Sequence, residues 1–198
     1  MDTHKIVLAS TSPRRIELLR QLGLDFECFD PGNSENSTQT DPVERVKENA
    51  EKKATSALEH HKDRIVIAAD TIVLIDGVIL EKPKDRGDAV KMLSTLSGRT
   101  HKVLTAIAVV DSATGKRAVA VEETLVKIKE LTREEIESYV DSGEPLDKAG
   151  AYAAQGLGAV MVERIDGCFY NVVGLPLSRL HSVLLGFGID LFTGVRQH

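Results

Sequence analysis

Short apolar blocks alternate with polar ones along the chain, and the period of each block predicts its element. Ile6–Ala9 is an unbroken apolar run of strand length. Residues 13–22 carry apolar side chains at helical spacing until Gly23 stops them. Phe26–Phe29 predicts a second short strand, and residues 30–41, poor in apolar side chains, predict a loop. From Pro42 to about His60 a longer helix is expected, with Val43, Val46, Ala50, Ala54 and Ala57 along its apolar side. Ile65–Ile75 is a nearly continuous apolar strand interrupted by Asp70 and Thr71, and Asp76-Gly77 predicts a hairpin into Val78–Leu80.

The remaining pattern predicts a helix over residues 87–96 and two long strands, 103–110 and 118–131, around Thr114-Gly115. Thr132 and Glu135 form a capping box for a helix ending near Gly143. A last apolar strand is expected over 158–165, reaching a second Asp-Gly turn at Asp166-Gly167, and Pro176 opens a terminal helix. Alternating strands and helices favour an α/β class. With no repeats or obvious linkers, the pattern suggests one domain with two lobes over residues 1–198.

A chain of 198 residues can bury a substantial core. Its net charge of -5 argues against a general binder of nucleic acid or membrane surfaces. Two cysteines, Cys28 and Cys168, outside any CxxC pair, fit a reduced cytoplasm. No segment has the roughly 18 apolar residues of a membrane span, so a cytoplasmic protein is expected. If an acidic chain binds phosphates, its positive charge must be gathered in one place.

The first helix is where to look. Ser10, Thr11 and Ser12 follow the first strand, Ser12 can serve as N-cap, and Pro13 suits the first helical position. Arg14 and Arg15 then oppose the helix dipole, which makes poor sense for helix stability and good sense around a polyanion. Asp70 is either a structural aspartate paired at a strand end, or a metal ligand or general base beside the phosphates. Lys82, in Glu81-Lys82-Pro83, and Lys53, near a helix end, read alone as a turn residue and a dipole partner; with the arginines they would balance a triphosphate.

In residues 143–156 the glycines are loop punctuation or permit close backbone approach, and Lys148 could simply pair with Asp147. Gln155 carries a donor and an acceptor suited to a base edge. The Asn171-Val172-Val173-Gly174 segment reads as structural, positioning the last helix. GxxxxGK[ST], HExxH and GxSxG are all absent, and the histidines read as surface residues.

In order and spacing, LASTSPRRIELL, AADTIV, EKP, LSGRTHKVLTA, DKAGAYAAQG and NVVGLPL resemble the Maf family of nucleoside triphosphate pyrophosphatases over nearly the whole chain. The resemblance implies a mixed, elongated, twisted sheet with flanking helices and two lobes around a deep cleft, related to inosine-triphosphatase-like enzymes. It implies hydrolysis of a nucleoside triphosphate to the monophosphate and pyrophosphate with Mg²⁺ or Mn²⁺. Asp70 matches the proposed catalytic acceptor and metal ligand; Ser10, Arg15, Lys53 and Lys82 match polar or basic cleft positions. Arg14, Thr71 and Gln155 are similar to the dTTP/UTP subgroup, where the 7-methyl-GTP subgroup would have tryptophan, glutamine and glutamate.

One departure stands out. The loop after the second strand often carries adjacent acids in the family; here it reads Pro31-Gly32-Asn33-Ser34-Glu35-Asn36, leaving Glu35 to supply a metal-ligating carboxylate. The rival readings are a non-catalytic nucleotide-binding regulator of cell division and a pyrophosphatase for inosine or xanthosine triphosphate. The resemblance also allows a homodimer, although no sequence patch specifies one.

Overall fold

Strand β1 (Ile6–Ala9) is buried at every position and lies inside the sheet, paired in parallel with β2 (Phe26–Phe29) and with β3 (Ile65–Ile75). A strand covered on both faces can be apolar throughout, which is why its residues do not alternate. The computed structural model describes residues 6–32, 34 and 36–194. Its seven-stranded sheet runs β2-β1-β3-β5-β6-β7, where β5 is Thr100–Asp111, β6 is Arg117–Ile128 and β7 is Val162–Asp166. Strand β4 (Val78–Leu80) pairs antiparallel with β3, and β6 with β7, so the sheet is mixed. The helices are α1 (Pro13–Gln21), α2 (Pro42–Leu58), α3 (Arg86–Leu96), α4 (Arg133–Asp141), α5 (Phe169–Val173), α6 (Leu177–Leu185) and α7 (Leu191–Gly194). Among the described residues, no helix is long and apolar enough to cross a membrane.

The chain divides into two compact units, with a boundary inside β3 between Asp70 and Thr71. The first gathers the residues up to Asp70, 105–122 and those from Gly174 onward. Its core includes Leu8, Leu18, Leu19, Val46, Ile67, Ile107, Leu175, Leu180 and Leu184, all buried. Helix α2 opens at Pro42 as expected, and Asp41, the last residue of the expected loop, caps it: its carboxylate accepts from the Val43 and Glu44 amides. Helix α1 starts differently. Ser12 occupies the N-cap position, but its side chain makes no cap bond; its amide instead donates to Ser10 Oγ at 3.2 Å.

The second unit holds 71–104 and 123–173. The hairpin from β3 to β4 turns at Asp76 and Gly77 with φ of 51° and 78°, the paired positive values a tight two-residue turn requires. The Thr132–Glu135 capping box forms in full, and α4 lays Ile136, Tyr139 and Val140 against Leu93, Leu96, Val126 and Ile128. The two long strands are shifted from their expected bounds: β5 begins earlier, at Thr100, and β6 ends earlier, at Ile128. Past Ile128 the chain is caught by other partners, the Lys129 amide by the Met161 carbonyl and the Leu131 amide by Ser97 Oγ. The strand expected over 158–165 is confined to β7, because Gly156–Met161 winds into 3₁₀ turns. Asn171 is fully buried and donates to the Val103 carbonyl and to Thr124 Oγ1, so its segment is structural as expected.

Contrary to the surface assignment of the histidines, His101 is buried. Its Nε2 lies 2.7 Å from the Tyr152 hydroxyl, the two rings meet edge to face, and Nδ1 has no hydrogen-bond partner among the described residues. Protonation would place a charge and an unanswered donor in the core, and burial pushes the His101 pKa down from 6.5 to about 4. A lowered folded pKa means the neutral ring favours the fold above pH 6.5, and that contribution is lost as pH falls through the folded value. The wild-type protein should lose about 3 kcal/mol of stability from this residue between pH 6.5 and 4. Urea melts across that window should show a shallower slope for His101→Gln; an unchanged slope would refute the assignment.

Candidate functional site

Helix α2 directs Val46, Ala50, Ala54 and Ala57 into the core, and Asn49 and Lys53 lie on the same buried stripe. Their one-turn spacing brings both polar groups to one side chain on β3. Lys53 Nζ donates to Asp70 Oδ1 at 2.8 Å and to the Ala69 carbonyl at 3.2 Å, and Asn49 Nδ2 donates to Asp70 Oδ2 at 3.0 Å. Lys53 is 3% exposed and Asp70 5%, so the pair is buried. The helix-dipole reading does not describe Lys53, which is buried and reaches Asp70. Asn49 Oδ1 also accepts from the Ser37 amide, which ties the loop before α2 into the same network. Asn49 escaped the sequence reading, although its place one turn before Lys53 on an alanine-rich stripe was a usable signal.

In the same unit, Ser10 is buried at the end of β1, and Arg14 and Arg15 occupy the first turn of α1, which contains no acidic residue. Arg15 Nε donates to the Gly174 carbonyl at 2.8 Å, so this guanidinium also anchors the start of α1 to the backbone ahead of α6. Both arginines are half-buried. A helix start with positive side chains and no side-chain cap is suited to an anion.

Thr71, Lys82 and Gln155 belong to the second unit. Thr71 is half-buried on β3, Lys82 is exposed just after β4, and Gln155 is exposed ahead of the Gly156–Met161 turns. Gly150 connects the segments carrying Lys82 and Gln155: its amide donates to the Glu81 carbonyl at 3.1 Å. It adopts φ +68°, and a Cβ there would lie 2.9 Å from Val73 Cγ2, so only glycine permits this approach to β3. Lys148 does pair with Asp147, at 2.5 Å, and also donates to the Glu144 carbonyl.

Asp70 already accepts one N–H on each oxygen and retains a second lone pair on each. Among the described residues, no three His, Cys, Asp or Glu side chains converge as a metal site, and Glu35 lies outside the described residues. This donor set fits a hard divalent ion only when substrate phosphates complete its shell, a common arrangement for Mg²⁺.

Comparison with known proteins agrees with this architecture. The chain is 48% identical over 189 residues to a dTTP/UTP pyrophosphatase of Dictyoglomus turgidum, covering 94% of this chain and 98% of that protein. It is 50% identical over 198 residues to a dTTP/UTP pyrophosphatase of Acetivibrio thermocellus, covering 94% and 97%. Among solved structures, the Staphylococcus aureus Ham1 protein superposes with a TM-score of 0.53 at 17% identity, covering 92% of this chain and 99% of that one. A HAM1 protein from Coxiella burnetii gives 0.51 at 16% identity with the same coverage, and at such identities the likeness concerns the fold alone. The model of the Maf-like protein family matches residues 5–187, and the chain belongs to that family.

Proposed function

We propose that this chain hydrolyses dTTP and UTP to the monophosphate and pyrophosphate, removing these nucleotides from the cellular pool. The observation that carries this reading is the near full-length identity of 48–50% to proteins bearing that name. The buried Asp70–Lys53–Asn49 group supports it, because it supplies an oriented carboxylate with an ammonium beside it.

In this reading the triphosphate meets the first turn of α1, where Ser10, Arg14 and Arg15 bind phosphate oxygens and Lys53 and Lys82 offset further charge. Asp70 orients a water and accepts its proton as the water oxygen bonds to the α-phosphorus. The bond from that phosphorus to the bridging oxygen breaks, and pyrophosphate leaves. A bound Mg²⁺ or Mn²⁺, held by Asp70, Glu35 and the phosphates, would neutralise phosphate charge and activate the water. Fixed charge and orientation supply most of the acceleration. Thr71 and Gln155 read the pyrimidine, the Gln155 amide offering a donor and an acceptor to its edge.

Pyrophosphate release should be selective for dTTP and UTP in a panel with CTP, ATP, GTP, ITP and 7-methyl-GTP. Turnover confined to ITP or 7-methyl-GTP would overturn the specificity, and binding without turnover would favour a regulator. Asp70→Asn should lower kcat by about 10³-fold or more. It also strands the buried Lys53 ammonium, at a cost of about 3–5 kcal/mol. The Lys53→Met/Asp70→Asn double variant should therefore regain much of the lost stability in urea melts and none of the activity. A double variant with wild-type turnover would remove Asp70 from the mechanism.

A further inference from the structure

Residues 153–158 form a loop with exposed Gln155 near its tip, and both limbs of the loop are held by two side chains outside it. On one limb the Ala153 amide donates to Tyr139 Oη at 3.3 Å. On the other, the Leu157 amide donates to Glu144 Oε2 at 3.0 Å and the Gly158 amide to Glu144 Oε1 at 2.9 Å. The Tyr139 hydroxyl donates to Glu144 Oε1 at 2.9 Å, which closes the brace. Tyr139 is buried in the core of the second unit, so the brace is rooted in packed structure.

The glycines make room for these two groups. Gly156, next to Gln155, has φ +66°, and a Cβ there would lie 2.7 Å from Glu144 Oε2. A Cβ on Gly158 would lie 2.6 Å from Tyr139 Oη and would also strike the Ala153 carbonyl. The carboxylate therefore packs directly on the backbone that follows Gln155. The Gln155 side chain makes no cap bond to the turns after it. Burial raises the Glu144 pKa, but the Gly158 and Leu157 amides, the Tyr139 hydroxyl and Lys148 outweigh it and hold the carboxyl below its usual range. The brace is thus ionised above the ordinary carboxyl pKa and weakens only as pH falls through the lower folded value.

We propose that Glu144, braced by Tyr139, is the positioning residue that fixes Gln155 and so sets how strictly the nucleobase is read. This rests on the pyrimidine pyrophosphatase reading above. Glu144 acts through the loop. The ionised carboxylate answers three donors, whereas a glutamine in its place offers a single acceptor oxygen and sets an N–H donor against one of them.

The test compares Glu144→Gln, Tyr139→Phe, Gln155→Ala and Glu144→Gln/Gln155→Ala in the full chain. Glu144→Gln should raise the KM for dTTP about tenfold, keep kcat within about twofold, and reduce the preference for UTP over CTP about tenfold. Inorganic tripolyphosphate, which has no base, should inhibit wild type and Glu144→Gln with the same Ki. The double variant should lose no more than the worse single variant, because both changes remove one function. Tyr139→Phe should show the same pattern in weaker form. Amide exchange should quicken at Leu157 and Gly158 in Glu144→Gln while β5 stays protected, separating a loosened loop from a damaged fold.

Wild-type selectivity in Glu144→Gln, losses that multiply in the double variant, or an equal rise in the tripolyphosphate Ki would overturn the inference while leaving the pyrophosphatase reading in place. A wild-type protein releasing no pyrophosphate from dTTP or UTP would overturn that reading, and this inference with it.

Discussion

The buried ion pair between Lys53 and Asp70 fixes how the first unit's longest helix meets the sheet. An ammonium and a carboxylate with almost no solvent access are tolerated only when they meet each other and their remaining hydrogen-bonding capacity is answered. Helix α2 must therefore dock on β3 in one rotation and at one height, and the small side chains of Ala50, Ala54 and Ala57 allow that approach. Asn49 carries the constraint outward. It is bound to Asp70 by its amide nitrogen and to the Ser37 backbone by its oxygen, while Ser37 Oγ donates to Glu48 Oε2 at 2.6 Å. The loop before α2, the helix itself and the end of the buried stretch of β3 thus share one polar network.

The second unit uses polar anchors in another way. Polar side chains, most of them buried, tie its segments together: Asn171 holds α5 to β5 and β6, His101 meets Tyr152, and half-buried Glu144 with Tyr139 holds the loop after it. Backbone without a regular ladder still needs partners for its amides and carbonyls. Here those partners come from residues distant in the chain, so a loop rich in glycine can keep one shape.

Local signals were legible wherever local physics decides the structure. The run of β1, the Asp76-Gly77 turn, Pro42 at the start of α2 and the Thr132–Glu135 box each specify their geometry within a few residues. Contacts across the fold were not. Nothing local distinguishes Lys53 as a buried partner of a carboxylate seventeen positions away from a lysine serving a helix end. His101 lies beside charged Lys102 in a polar stretch, and its burial depends on Tyr152, fifty-one positions later. The apolar look of residues 158–165 predicted a strand, yet its first half winds into 3₁₀ turns whose start is held by Glu144 through the Leu157 and Gly158 amides, a contact no periodicity could reveal. The residues matched by resemblance were picked out by motif, and the two that support them, Asn49 and Glu144, were not.

The closure of the 153–158 loop has an evolutionary consequence. Its limbs are pinned at Ala153, Leu157 and Gly158, and glycines at 156 and 158 sit against atoms that leave no slack. Such a loop cannot absorb an insertion or deletion without releasing its anchors. A substitution at position 155 disturbs none of them. With Gln155 reading the base as proposed, the loop is a socket whose exposed pin can be exchanged on an unaltered scaffold, one of the positions through which a change of substrate would pass.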